Sequence, residues 1–271
     1  MFLTRFAWTC WALVPVGLLA YHFGPGQSAY AYDQAASLHS RAARAEKTAA
    51  AAQEAAYARH LAGIEARRAA FLSQSPEDAA RVRDAAAAED QAYKAAATAW
   101  REAADAFGQI ESVLQGASPE ALAQVRWSRS RALVRSGDIA RGADDLEDLL
   151  DEFTDRGQAD SDIARSTREE LATAYYYGAR LMRLAGRSQD DWRAISGKAR
   201  QQFRYLAEQS RAEHKPEDTT LNYQRNLELV LNLEQSSLNE LQGRPLPKQS
   251  PREGQEGLRP GNRKGKTQRP P

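Results

Sequence analysis

What the chain does not contain narrows its chemistry first. Its 271 residues include one cysteine, Cys10, and four histidines far apart at 22, 39, 60 and 214. One cysteine permits no intramolecular disulfide, and a Cys/His zinc site lacks its ligands. Between residues 27 and 242 proline occurs only at Pro76, Pro119 and Pro216. A sandwich, a barrel or a βαβ enzyme needs recurrent turns and β-branched runs, and these are missing. There is no HExxH pair, no phosphate-cradling glycine loop and no serine nucleophile elbow. No catalytic residue, cofactor or metal ligand is therefore expected, and the chain reads as a non-enzyme.

What is present is alanine, and charge sorted by position. Residues 33–107 hold 30 alanines. The formal net charge is only +1, but residues 243–271 carry eight basic and two acidic side chains, which leaves the rest acidic. The expected fold is all-α. Residues 1–31 form a signal-anchor or transmembrane segment, and 32–82 an alanine-rich stalk or coiled coil. A helical repeat domain follows over 83–242, and a disordered basic Pro/Gly-rich tail over 243–271.

Residues 6–23 lack formal charge, a run just long enough to span a thin hydrocarbon core. The expectation is a single-pass anchor in the cytoplasmic membrane. With Arg5 before the run and the next positive charge at Arg41, the helical domain falls on the outer, periplasmic side. The rival is cleavage near Ala31, after Ala29-Tyr30-Ala31, giving a secreted or periplasmic product. Cys10 is read as a small apolar residue within the run, not a lipid attachment site, since Trp8 precedes it and the run continues past it.

From Asp33 to Ser73 alanine alternates with charged helix formers, and Tyr57, Leu61, Ile64 and Phe71 are placed on one coiled-coil seam. This helix should pack on another or self-associate through its alanines. Ser75-Pro76-Glu77-Asp78 reads as an N-cap and first turn, starting a second helix to about Leu114. Ser118-Pro119-Glu120 repeats that signal. Further helices are expected over about 120–136, 139–153, 161–185, 190–212 and 218–242, with corners at Gly137 and Gly186.

Three stretches then share a pattern. Trp100, Ala103, Phe107 and Ile110 have the spacing of the second helix of a unit, although Asp90 and Lys94 suit a first helix over 83–97 poorly. Ala132-Leu133, Gly137-Asp138-Ile139, Gly142, Leu146, Leu149 and Leu150 make one complete unit. Tyr175, Gly178, Ala179, Met182, Gly186, Trp192, Ala199, Phe203 and Leu206 make another with residues inserted at its corner. The chain from 83 to 242 resembles a tetratricopeptide-repeat (TPR-like) superhelix. Together with its Tyr21-His22-Phe23-Gly24-Pro25-Gly26 run, it is also similar to bacterial membrane-anchored repeat-like proteins that have no established activity.

The resemblance implies a concave groove that binds an extended peptide. Carried over residue by residue, it places Gln124, Trp127, Arg131 and Arg135 on that face in one unit and Thr173, Tyr176, Arg180 and Arg183 in the next. The arginines suit an acidic segment of a protein partner, or else a solvated face paired with neighbouring acids. Asp144, Asp145, Glu147, Asp148, Asp151 and Glu152 fall on one helix without the glycine-bearing loop that calcium needs, and are read as a charged face. The basic tail lacks aromatics for base stacking, so nucleic acid is not expected as a partner. The function implied is an adaptor or assembly scaffold; the rival is a structural coiled-coil spacer that self-associates without a ligand.

Overall fold

In a computed structural model, the described residues are 25–114 and 119–252, with 11, 13–16, 18–19 and 21. Among them the elements are helices, with no strand: α1 (Pro25–Ser73), α2 (Pro76–Val113), α3 (Pro119–Ser136), α4 (Ile139–Asp155), α5 (Asp162–Leu184), α6 (Gln189–Ala212), α7 (Glu217–Gln235) and α8 (Leu238–Gly243).

Helices α1 and α2 form one long antiparallel hairpin. Its turn follows from local chemistry: the Ser75 hydroxyl accepts from the Asp78 amide at 3.1 Å, and proline occupies a first-turn position where no amide is needed. Along α1 the buried apolar residues are Ala35, Ala42, Ala49 and Ala56, a strict seven-residue repeat. Ala42 meets Phe107 and Ile110, Ala49 meets Trp100 and Ala103, and Ala56 meets Tyr93 and Ala96. The buried side of α2 alternates steps of four and three through Glu89, Tyr93, Ala96, Trp100, Ala103, Phe107 and Ile110, the spacing of a coiled-coil seam.

That seam corrects the expected one. Leu61 is 40 % and Phe71 80 % exposed, and Tyr57 and Ile64 are only half-buried. The physical reason is volume. The large side chains of the interface come from α2, and α1 answers with methyl groups that let the two helices approach closely. Asp90 and Lys94 are exposed, so their polarity costs the hairpin nothing. Because α2 is continuous from 76 to 113, the stretch expected as a first repeat is half of this hairpin, not a separate helix pair.

Beyond it, α3–α4 and α5–α6 each fold back on themselves and share a core with α7. Gly137 (φ 96°) makes the α3–α4 corner and Gly186 (φ 71°) ends α5, both in the left-handed region that favours glycine. Leu146, Leu149, Leu171, Tyr175, Met182, Trp192, Phe203 and Leu206 are all buried in this core. The helix expected over 218–242 is broken. Ser236 caps the end of α7, and a new capping box starts α8, in which Ser237 and Glu240 satisfy each other's backbone amides.

The single-pass membrane anchor is overturned. No helix among the described residues is long and apolar enough to cross a membrane. Residues 6–10, 12, 17, 20, 22 and 23 of the proposed span lie outside the described residues, as do Cys10 and the expected cap Ser118. The Ala29-Tyr30-Ala31 stretch lies within helix α1. The single-pass placement, with the helical domain outside the cytoplasm, falls with the span on which it rested.

Candidate functional site

The face expected to bind a peptide is occupied. The chain's own residues 244–252, Arg-Pro-Leu-Pro-Lys-Gln-Ser-Pro-Arg, return from α8 to lie between α5 and the α1–α2 hairpin. Residues 253–271 lie outside the described residues.

Three prolines shape how this segment is held. Each proline removes a backbone donor and fixes φ, so the chain stays non-helical and offers mostly carbonyl acceptors. The surroundings supply donors. Arg180, buried on α5, donates through Nη2 to the carbonyls of Leu241, Arg244 and Pro245 at 3.4, 3.2 and 3.4 Å. Gln53, buried on α1, donates to the carbonyls of Lys248 and Ser250 at 3.1 and 3.0 Å. The Ser250 amide closes a local turn on the Pro247 carbonyl at 2.9 Å.

The Leu246 amide donates to His60 Nε2 at 3.0 Å, while His60 Nδ1 lies 2.7 Å from Glu89 Oε1. With Nε2 accepting, Nδ1 carries the proton and donates it to the carboxylate, which assigns the tautomer. The Leu246 side chain, 8 % exposed, fills the space between Ala56, Tyr93 and Ala96. Burying such a side chain is worth about 1.5–3 kcal/mol. Burial, with the Glu89 carboxylate second, pushes the Tyr93 phenol up to about 12, so it stays neutral.

Charge is matched at the far end. Lys248 Nζ meets Glu54 at 2.7 Å, and this bond, with the charge behind it, holds the Glu54 carboxyl below its ordinary value. Arg252 pairs with Asp90 and lies 3.6 Å from Glu89. Glu89 is 2 % exposed, and its Oε2 lacks a hydrogen bond although Arg67 stands 4.0 Å away.

The eight residues expected on the groove divide by role. Trp127, Arg135, Thr173 and Tyr176 line a cavity of about 390 Å³, with Glu169, Glu170 and the segment's Pro247 and Gln249 on its wall. Arg180 holds the segment. Arg183 donates to the carbonyls of Leu233 and Ser236, and so caps the end of α7. Arg131 pairs with Glu46 on α1 and stacks on Trp127 with its guanidinium 4.3 Å from the ring centroid. Gln124 is exposed and makes none of these contacts. Arg135 faces Glu170 at 3.7 Å and Gln249 at 2.7 Å. Burial pushes the Glu170 carboxyl up, against the pull of Arg135 and Arg131, and burial also raises Glu169.

Two members of the acidic run on α4 are engaged within the fold. Glu147 accepts from the Tyr175 hydroxyl and from Lys198, and Glu152 pairs with Arg126 and Arg156. No group of His, Cys, Asp and Glu among the described residues could hold a metal. Sequence reasoning placed none of Gln53, Glu54, His60, Glu89 and Asp90 at a site. The available signal was Glu89 itself, an acid on a seam otherwise filled by Tyr93, Ala96 and Trp100. No protein-family model, curated protein or solved structure matches this chain.

Proposed function

We propose that this protein is a helical interaction scaffold, an adaptor or assembly factor whose groove between α5 and the α1–α2 hairpin grips an extended protein segment. The observation that carries the reading is the Arg180–Gln53 pair of side chains donating to main-chain carbonyls of residues 241–250. Donors aimed at backbone acceptors hold a non-helical chain largely independently of its side chains. The tetratricopeptide-like character of α3–α6 belongs to the same proposal. It is supported by two consecutive hairpins with glycine at the corner or helix end and a small residue, Gly142 or Ala199, on the second helix.

Selection of displayed peptides on the full-length chain carrying Leu246→Ala, which loosens the resident segment, tests the reading. A recovered consensus whose binding is lost in Arg180→Ala supports it. A chain that selects no sequence at all returns the molecule to the spacer reading. For a self-associating spacer, the alanines of α1 would have to be available. The four on its seam, Ala35, Ala42, Ala49 and Ala56, are buried within the same chain.

A further inference from the structure

We propose that the partner's docking segment is basic and proline-spaced, patterned as Leu-Pro-Lys-x-Ser-Pro-Arg, and that residues 244–252 hold its place until it arrives. This deepens the groove reading above and rests on it. The arginines on the α3 and α5 faces suggest an acidic ligand, but each guanidinium already has a partner within the chain, although Nε of Arg131, Arg135 and Arg180 makes no hydrogen bond. Arg131 goes to Glu46, Arg135 to Glu170, and Arg183 to the carbonyls ending α7. Arg180 and Arg135 address the segment, and both address neutral oxygens: the carbonyls of Arg244 and Pro245 and the side-chain amide of Gln249.

The selective charge sits on the opposite wall. Glu54, Glu89 and Asp90 line the hairpin where Lys248 and Arg252 arrive. Lys94 and Arg101 face the cavity beyond Pro251, and Arg67 approaches Glu89 from the other side, so the acids are concentrated where the segment passes. Two positions are sterically strict. Leu246 enters the apolar slot of Ala56, Tyr93 and Ala96, and Ser250 is fully enclosed. Proline on either side of the leucine leaves the Leu246 amide as the one backbone donor between them, and His60 Nε2 accepts it.

The probes are two labelled peptides, one with the sequence of residues 244–252 and one with Lys248→Glu and Arg252→Glu. They are titrated into the full-length chain bearing Leu246→Ala, Lys248→Glu and Arg252→Glu, whose own segment is weakened. The native-sequence peptide is expected to bind about tenfold more tightly than the charge-reversed one at moderate salt, the scale of two ion pairs. Equal, Arg180-dependent binding of both would overturn the basic pattern and leave the groove standing. Binding of neither would overturn both.

A second measurement needs no altered protein. Excess native-sequence peptide should speed deuterium uptake by residues 244–252 of the unaltered chain, and charge-reversed peptide should not; equal uptake with the two overturns the proposal. Sedimentation supplies the remaining outcome. A dimer of the unaltered chain dispersed by the peptide would put a second copy in the groove and overturn a separate partner.

Discussion

Gly142 on α4 lies directly against Val134 on α3: a Cβ at position 142 would sit 2.7 Å from Val134 Cγ2, 2.8 Å from the Ser130 carbonyl oxygen and 3.0 Å from the Val134 amide nitrogen. Two of those three atoms are backbone and cannot rotate away. Gly142→Ala therefore forces the hairpin apart. Alanine's better helix propensity offers about 1 kcal/mol, against overpacking of typically 1–3 kcal/mol. Net destabilisation is expected in urea unfolding, and a stabilised variant would refute the close packing described.

The α1–α2 hairpin makes a paired prediction about size. Ala49 has no exposed surface between Trp100 and Ala103, whereas Phe71 is 80 % exposed. Ala49→Leu should lower stability by about 1–3 kcal/mol or more. Phe71→Ala should stay within about 0.5 kcal/mol of the parent. If the larger loss came from Phe71, the seam would run through the large apolar residues of α1 after all.

Arg180→Met tests the hold on the C-terminal segment. The variant keeps an unbranched apolar stem but loses the donors to Leu241, Arg244 and Pro245. Tryptic cleavage after Lys248 should accelerate several-fold while helical content by circular dichroism stays constant. An unchanged cleavage rate would assign the hold to the other contacts, those of Gln53, His60, Leu246 and the ion pairs of Lys248 and Arg252.

Glu170 gives a pH dependence of defined sign. Burial raises its pKa in the folded chain, so between the ordinary carboxylate value and that raised value the native state holds more protons than the unfolded one. Its contribution to stability is greatest at low pH and declines as pH rises through this window. Glu170→Gln removes the penalty of ionising, so the variant should gain on the parent as pH rises above the ordinary carboxylate value. Urea midpoints measured at both ends check it. A parent-minus-variant difference that does not move with pH would show the Arg135 partnership to offset burial in full.

Helix boundaries were readable because their causes are local. Ser75 and Pro76 announce a start, Gly137 and Gly186 a corner and a stop, all within one turn of the atoms they serve. The α1 seam was misread because apolar size is a poor guide when the partner helix supplies the bulk, as Trp100 and Phe107 do here. Of the site, the tetratricopeptide resemblance grouped Trp127, Arg135 and Tyr176, which line one cavity, with Arg180, which holds the segment. Its occupant was not legible, because Arg180 and Pro245 are 65 residues apart and Gln53 and Ser250 are 197 apart. No local pattern encodes such a meeting, and the segment's own composition pointed toward disorder.

The seven-residue repeat of alanines on α1 has a mechanical corollary. Sliding α1 along α2 by one repeat, about 10.5 Å, would again set alanine against α2's aromatic side chains. The methyl groups thus say little about which alignment is native. The polar end decides it: Gly63 leaves the space that Glu89 occupies, where a Cβ would fall 2.9 Å from Oε2, and His60 bonds the same carboxylate. A slip by one repeat would bring Ala56 or Ala70 to the place of Gly63 and set a methyl group where the Glu89 carboxylate sits. The His60–Glu89 bond works as a key that fixes register, as single polar residues do in coiled coils. Because the same imidazole receives the Leu246 amide, the alignment of the hairpin and the seating of the C-terminal segment are coupled through one side chain.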